Sequence, residues 1–237
     1  MTIKEQNEYW LKFHRFQQRY EKKYIALITA VLKAQVQSYI KHKDTIYVRS
    51  GEMHGLLLKI HQQTGAAWAY HTRGNFILKR GGQMGFSERI FALIRQYFFQ
   101  ELFNTAEDIT QTTIRLIQDV LTRAAETGAS FDDMVKELEA APFSASRARL
   151  IARTETVAAA NQAAIINARA SGIALDKIWI AARDNRTRKH HAEINQTTIP
   201  LSGKFLVGGF EMDVPGDKAA GPGEVCNCRC VIGFIPI

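Results

Sequence analysis

The chain has 237 residues, of which 46% are hydrophobic, and a formal net charge of +8. This composition can build a real core and excludes a disordered tail. No apolar run approaches the roughly 18 residues that a membrane span needs. The first ten residues are charged and contain no apolar signal segment, so we expect synthesis in the cytoplasm, where thiols stay reduced. The three cysteines are an odd number and a poor basis for a disulfide framework.

Charge is distributed unevenly along the chain. Residues 1–80 carry a net +9, residues 81–143 carry −5 and residues 144–237 carry +4. A basic N-terminal third can attract nucleic acid or an acidic protein surface. Alternatively, its lysines only solvate an exposed helix face, and the sequence leaves both interpretations open.

The first predicted element is a long amphipathic helix. Its apolar residues recur at spacings of three and four, which is typical of a helix face packed on a core or a partner. The members of this stripe are Tyr9, Phe13, Phe16, Tyr20, Tyr24, Leu27 and Val31. Five basic residues lie largely off the stripe, where DNA, a partner protein or solvent can reach them. They are Lys12, Arg15, Arg19, Lys22 and Lys23.

The next segments give weaker signals. A second helix is predicted for about residues 52–70, followed by a short extended piece and a glycine loop over residues 75–85. This loop is not a phosphate-binding loop, because no GKS or GKT follows it. His54, His61 and His71 share no tight ligand spacing, so we interpret them as ordinary surface or core histidines.

Two further helices are predicted before the C-terminal part of the chain. A strongly helical region begins at Ser87, with a predicted break at Asn104-Thr105. A shorter helix follows, for which Ser130 and Asp133 have the spacing of a capping box.

An alanine-rich helix is then predicted from about residue 144 to Gly172, where glycine is well placed as a C-cap. Ten of residues 144–171 are alanine. Within this helix neither Arg153 nor Glu155 has an opposite charge three or four residues away. We therefore expect both to find partners elsewhere in the fold; the alternative is that both lie free in solvent.

After this helix, short elements of different kinds alternate. LDKIWIAA indicates a strand, RDNRTRKHHAEI a polar turn and a short helix, and GKFLVGGFEMDVPGD a strand and a loop. CNCRCVIGFIPI is predicted to close the chain as a strand with Cys226, Cys228 and Cys230 on one face. The predicted fold class is α+β, with a predominantly helical portion over residues 1–143 and a small α+β module over residues 144–237.

The C-terminal module resembles the Mu F-like family, the phage head morphogenesis or minor head proteins of tailed bacteriophages. The resemblance rests on motifs that occur in the family's order. They are IARTET with Asn161 downstream, Gly172, Trp179, RDNRTRKHH, Pro200, Gly203 with Phe205, VPGDKAAGPGE and NCRC. The chain departs from the family at Ile194-Asn195-Gln196, where members often carry glycine, and at Cys226, where they tend to have an apolar residue or proline.

The resemblance implies a minor protein of the virion, located in the capsid interior or at the portal vertex. Its implied partners are the portal protein, other head proteins and double-stranded DNA, and no membrane. The roles that the resemblance implies are head assembly, contact with packaged DNA or DNA delivery. No enzymatic activity is attached to the family's core domain, so we expect no catalytic residues.

The cysteines leave several interpretations open. Cys228 and Cys230 with His190 or His191 supply nitrogen and sulfur ligands that suit a structural zinc ion. Against zinc, the C-x-C spacing is tighter than usual. A redox pair lacks a thioredoxin-like setting. The cysteines can also be small apolar residues on the buried face of the last strand, which is our preferred interpretation for Cys226 and Cys228.

An enzyme is the main alternative class of function. Asp184, His190, His191, Glu193 and Asp217 are the residue types that a metal-dependent nuclease uses as base and ligands. The sequence has neither H-E-x-x-H nor G-x-S-x-G, which makes this alternative weaker. A simple nucleic-acid-binding module is a third hypothesis.

The preferred interpretation of the polar motif residues is structural. We expect a network of ion pairs that fixes the alanine-rich helix to the small sheet, because the planar guanidinium group suits bidentate pairing with Glu155 or Asp184. The members of this network are Arg153, Glu155, Asp184, Arg186, Arg188, Asn227 and Arg229.

Overall fold

The computed structural model describes residues 1–76, 88–140 and 145–237. Most of the glycine loop predicted over residues 75–85 lies outside the described residues. The helices are α1 (Ile3–His42), α2 (Gly51–Phe76), α3 (Glu88–Thr127), α4 (Phe131–Ala140), α5 (Ala145–Ala170), α6 (Lys189–Glu193) and α7 (Gly221–Val225), with 3-10 turns at Thr45–Tyr47 and Lys218–Ala220. The strands are β1 (Leu175–Ile180), β2 (Thr198–Pro200), β3 (Phe205–Val207), β4 (Phe210–Met212) and β5 (Val231–Pro236). The predicted α+β fold class is confirmed, and none of the described helices is long and apolar enough to span a membrane.

Helix α1 begins at a capping box, in which Thr2 Oγ1 accepts from the Glu5 N–H and Glu5 accepts from the Thr2 N–H. The stripe predicted for this helix is correct at its start but wrong at its end. Leu27 is 40% exposed and Val31 is half-buried, while Ile28 and Leu32 are fully buried. The buried face rotates because the helix changes neighbours along its length.

These neighbours belong to two buried apolar clusters. Tyr9 and Phe13 pack with Trp68 of α2 and with the strands of the C-terminal module. Farther along α1, Ile28 and Leu32 pack instead within the bundle formed by α1, α2, α3 and α5. A single heptad pattern cannot describe a helix whose two halves face different partners.

Helix α3 is continuous through Asn104 and Thr105, so the predicted break is wrong. The Thr105 hydroxyl donates to the Glu101 carbonyl at 2.9 Å, which satisfies this side chain within the helix. Half of the capping box predicted for α4 is present, because Ser130 Oγ accepts from the Asp133 N–H at 3.1 Å. The Asp133 carboxylate accepts from the Ser130 hydroxyl at 2.6 Å.

Helix α5 is the central helix of the fold. It packs closely on α2 at Gly65, where an added Cβ would lie 3.0 Å from the Ala163 Cβ and 3.2 Å from the Ala159 carbonyl oxygen. This close approach explains the need for small residues along α5. The helix ends as predicted before Gly172, which has a φ of 65°. Because α5 contributes to both apolar clusters, the domain boundary at residues 143/144 stays a prediction.

The module contains a three-stranded antiparallel sheet of order β2-β1-β5 and a separate β3–β4 hairpin. The segment predicted as one strand and a loop is therefore two strands. They are joined by Gly208 and Gly209, which have φ values of 58° and 88°, the backbone that a tight two-residue hairpin turn requires.

The cysteines do not lie in the last strand, which corrects the sequence prediction. Strand β5 begins only at Val231, and residues 226–230 form an irregular segment, which we call the CNCRC turn. Asn227 adopts a left-handed φ of 61°, and its N–H donates to Thr154 Oγ1 of α5 at 3.1 Å. The backbone of this segment is thus fixed to α5 rather than to a neighbouring strand.

Candidate functional site

Arg153 connects α5 with α1 and with the CNCRC turn. Its guanidinium group donates to both carboxylate oxygens of Glu21, at 3.1 and 2.8 Å. It also donates to Asn227 Oδ1 at 3.2 Å. Glu21 is buried and accepts a further hydrogen bond from Gln17. This bidentate pair therefore joins three segments that are far apart in the sequence.

Glu155 is almost fully buried. It lies four residues before Ala159, which contacts Gly65 of α2. Its carboxylate lies 2.8 Å from His61 Nε2 and accepts from Lys218 Nζ at 2.9 Å. Burial alone would raise the pKa of Glu155, but Lys218 and His61 outweigh it and lower the pKa to about 2. Lys218 also donates to Thr105 Oγ1 at 2.7 Å. The partners of this carboxylate are a histidine and a lysine, not the arginine that we expected.

Asp184 accepts a bidentate pair from Arg229, with one oxygen 2.9 Å from Nη2. Arg186 is mostly exposed and lies 3.7 Å from the same carboxylate. Arg188 instead donates to the Cys226 carbonyl at 2.6 Å. The structure thus distributes the seven residues of the expected network over several separate contact groups that surround α5 and the CNCRC turn.

The sequence analysis did not assign several residues to these polar contacts. His61 and Lys218 hold Glu155, although only Lys218 belongs to a recognised motif. Asn161 is fully buried, donates to the Cys230 carbonyl at 3.1 Å and accepts from the Ile232 N–H at 2.9 Å. Lys177 is buried on β1 and binds the Asp213 carboxylate and carbonyl. The signal for Lys177 was a lysine within an otherwise apolar strand face.

A buried cluster of His191, Cys228 and Cys230 lies beneath the CNCRC turn. Among the described residues, these three form the one group of at least three histidine, cysteine or acidic side chains whose potential metal-binding atoms all lie within 4.8 Å of one another. His191 Nδ1 lies 3.4 Å from Cys230 Sγ and 3.7 Å from Cys228 Sγ. The expected ligand His190 is not part of it, because its side chain is 49% exposed and contacts Glu224 instead. Cys226 also lies outside the group.

The electrostatics of this cluster favour negative charge on the sulfur of Cys228. A hydrogen bond from Cys230, helped by His191, lowers the pKa of Cys228 well below that of an ordinary thiol. The neighbouring Cys228 raises the pKa of Cys230, and burial adds to the effect. Burial would lower the pKa of His191, but Cys228 and Glu224 outweigh it and raise this pKa. These shifts favour a Cys228 thiolate paired with the His191 imidazole.

The basic residues of α1 lie on the surface. Lys12, Arg15, Arg19 and Lys22 are exposed, whereas Lys23 donates to Gln63 of α2 at 2.7 Å. Lys22 lines one surface depression together with Arg149 of α5 and Arg186 of the module. We call Lys12, Arg15, Arg19, Lys22, Arg149 and Arg186 the basic surface.

The residues proposed for metal-dependent catalysis do not converge. Asp217 caps a 3-10 turn by accepting from the Ala219 N–H at 3.1 Å, Asp184 pairs with Arg229, and Glu193 lies 3.8 Å from Lys189. None of these carboxylates joins His191 in a metal-sized group among the residues that the structure describes.

Comparisons with known proteins agree with the resemblance seen in the motifs. The sequence model of the family described as Phage Mu protein F like protein matches residues 115–233. The uncharacterized protein YqbB of Bacillus subtilis (strain 168) is 31% identical over 132 residues, which cover 54% of this chain and 43% of that protein. The minor head protein GP7 of Bacillus phage SPP1 is 33% identical over 97 residues, which cover 39% of this chain and 31% of that protein. No solved structure matches.

The aligned part of this chain spans less than half the length of either relative. The family match, in contrast, covers half of this chain. It includes α5, strands β1 to β4 and the CNCRC turn, which are the elements that carry the family motifs. The chain therefore belongs to the Mu F-like family of phage head proteins.

Proposed function

We propose that the chain is a minor head protein of a tailed phage or prophage, which associates with the portal vertex of the virion and acts in capsid assembly or DNA delivery without catalysing a reaction. The observation that carries this proposal is the family match over the whole motif-bearing part of the module. The relative from phage SPP1, whose name is that of a minor head protein, supports it.

The helical bundle offers a surface for a protein partner. Phe99 and Phe103 of α3 expose large apolar side chains one helical turn apart, and His54 of α2 packs edge-on against both. Contiguous exposed apolar side chains are often part of a protein interaction site. The portal protein is the partner that we propose for this surface.

Co-purification with the portal protein of the same phage tests this association. The full chain is used, because removal of α1 would expose the core beneath Tyr9 and Phe13. We expect the portal protein to retain the wild-type chain and to lose the Phe99→Ser/Phe103→Ser variant. The matched control is Leu206→Ser/Phe210→Ser, which removes two exposed apolar residues from the β3–β4 hairpin. Failure of the wild-type chain to associate would contradict the proposal.

The basic surface is proposed to contact packaged DNA. Lys22, Arg149 and Arg186 line one depression, so α1, α5 and the loop before α6 all contribute positive charge there. Lys12, Arg15 and Arg19 precede Lys22 on α1 at spacings of three and four, which place them along one face of that helix. Lysine and arginine on phosphates release counterions, which makes the affinity fall steeply with salt.

Binding to double-stranded DNA at several salt concentrations tests this contact. Reversing the charge of Lys12, Arg15, Arg19 and Lys22 to glutamate should weaken binding and reduce the slope of log K against log salt by up to about 3.6. The control reverses Lys41, Lys59, Lys136 and Lys204, which are exposed at the end of α1, on α2, on α4 and before β3, and has the same net charge. An equal loss of DNA affinity in both variants would show that only the net charge determines binding, and it would overturn the assignment of this surface.

A DNA cleavage assay tests the proposal that the protein catalyses no reaction. Incubation of the wild-type chain with plasmid DNA and magnesium, manganese or zinc should leave the DNA intact. Metal-dependent cleavage that disappears in His191→Ala would instead establish a DNA-processing enzyme.

A further inference from the structure

We propose that His191, Cys228 and Cys230 bind one zinc ion, which fixes the CNCRC turn to α6. The three candidate ligand atoms lie within 4.8 Å of one another, and all three residues are buried. This inference is independent of the proposed role in the phage head, because it concerns how the module is held together.

The donor set suits zinc. Thiolate sulfur and imidazole nitrogen are the ligands that zinc takes in structural sites, whereas magnesium and calcium require oxygen. Two thiolates and a neutral imidazole would balance the two positive charges of the ion. A neutral site is the arrangement that a buried position favours, since an uncompensated buried charge is costly.

The orientation of His191 provides an independent observation. Its Nε2 lies 2.9 Å from Glu224 Oε2, and its Nδ1 is directed to the two sulfurs. Metal-binding histidines commonly donate the N–H of one ring nitrogen to a carboxylate, which leaves the other nitrogen free to bind the ion. Trp179 packs edge-on against the same imidazole ring at 5.4 Å and restricts its rotation.

Zinc takes four ligands, and the cluster supplies three. In the described ranges no further histidine, cysteine or acidic residue belongs to the group. Three protein ligands would leave the fourth position of the tetrahedron to a water molecule, which is the pattern of three-ligand zinc sites rather than of closed four-ligand sites.

A zinc ion at this point would order the residues that alternate with the cysteines. Asn227 accepts from Arg153 of α5, and Arg229 pairs with Asp184 at the start of the polar loop before α6. Cys228 lies between them and is directed into the cluster. Because the CNCRC turn has little regular structure, a metal ion adds contacts that its backbone cannot supply.

Metal analysis of the purified full-length chain tests this inference. The chain is prepared in reducing buffer without chelator, exposed to a zinc salt and separated from unbound metal. We expect one zinc ion per chain, and its loss in Cys228→Ser and in His191→Gln. The matched controls Cys226→Ser and His190→Gln change neighbouring residues outside the cluster and should retain the metal.

A second measurement covers variants that fail to fold. Cobalt added to the metal-free wild-type chain should produce the strong near-ultraviolet absorption of thiolate–cobalt bonds, and zinc should abolish it. A wild-type chain with zinc well below one per chain and without this absorption would overturn the proposal. Zinc retained by a folded Cys228→Ser variant would overturn it equally, as would a stable disulfide between Cys228 and Cys230 under reducing conditions.

Discussion

The helical bundle and the C-terminal module are stabilised by different kinds of contact. In the bundle, helices of 26 to 40 residues bury an aliphatic cluster along much of their length. In the module, the strands have three to six residues, and polar side chains of α5 fix its loops: Arg153, Glu155 and Asn161. The bundle should therefore respond mainly to lost volume, and the module mainly to lost polar partners.

The largest effect is expected where a buried charge loses its partner. Glu155→Ala removes the carboxylate that Lys218 and His61 share in the core. Breaking a buried ion pair in this way should lower the free energy of unfolding by about 4 kcal/mol. Urea unfolding measures this change, and Glu126→Ala on the exposed end of α3 is the control. If Glu155→Ala lowered the free energy of unfolding no more than Glu126→Ala does, the claim that buried polar contacts fix the module would be wrong.

The same carboxylate predicts a dependence on pH. The pKa of Glu155 falls from 4.5 in its ordinary state to about 2 in the fold, so its stabilisation is complete above the unfolded value and is lost as the pH falls. The loss between about pH 5 and pH 2 should amount to about 3 kcal/mol. Burial also lowers the pKa of His61, which weakens the fold in the same direction as the pH falls below 6.5.

Urea unfolding at several pH values measures this dependence. Glu155→Gln cannot ionise, so its stability should fall less than that of the wild-type chain over the same range. Parallel curves for the two proteins would show that other carboxylates cause the acid sensitivity.

Two adjacent apolar residues of α1 test whether the burial of a side chain determines its contribution to the stability of the bundle. Ile28 is fully buried, whereas Leu27 is 40% exposed. Ile28→Ala should lower the free energy of unfolding by about 3 kcal/mol because it leaves a cavity, and Leu27→Ala should change it by less than about 0.5 kcal/mol. The melting temperatures of the two variants give the comparison. Similar values would mean that α1 packs with a different face.

Asn161 tests the attachment of the last strand. Its side chain satisfies the Cys230 carbonyl and the Ile232 N–H. Asn161→Ala leaves two buried backbone groups without this partner and should cost about 2 kcal/mol. Hydrogen exchange should become faster in β5 but remain unchanged in α1. Uniformly faster exchange would indicate that the module has no separate attachment.

A small effect is also expected at an exposed ion pair of the bundle. Arg123 and Glu137 form a 2.5 Å contact, but their side chains are 53% and 43% exposed. Solvent screening should limit the effect of Arg123→Ala to less than about 1 kcal/mol. A loss comparable to that of Glu155→Ala would remove the proposed distinction between buried and exposed pairs.

The sequence predicted those features that depend on local signals. The apolar start of α1, the Ser130 cap, the end of α5 at Gly172 and the position of β1 all follow from spacing or backbone chemistry within a few residues. The α+β class followed from the same signals.

The features that were missed depend on distant neighbours. The shift of the buried face from Leu27 to Ile28 results from the change of partners along α1. The CNCRC turn resembles a strand by alternation, but Thr154 and Asn161 of α5 bind its backbone. Likewise, no local pattern connects His61 with Glu155, which are 94 residues apart.

The central claim is that this chain is a component of the phage head. Quantitative mass spectrometry of purified particles, after DNA-filled heads have been separated from tails, tests it most directly. We expect the protein in the heads, in far fewer copies than the major capsid protein. Its absence from purified particles of a phage that expresses it during infection would contradict the claim.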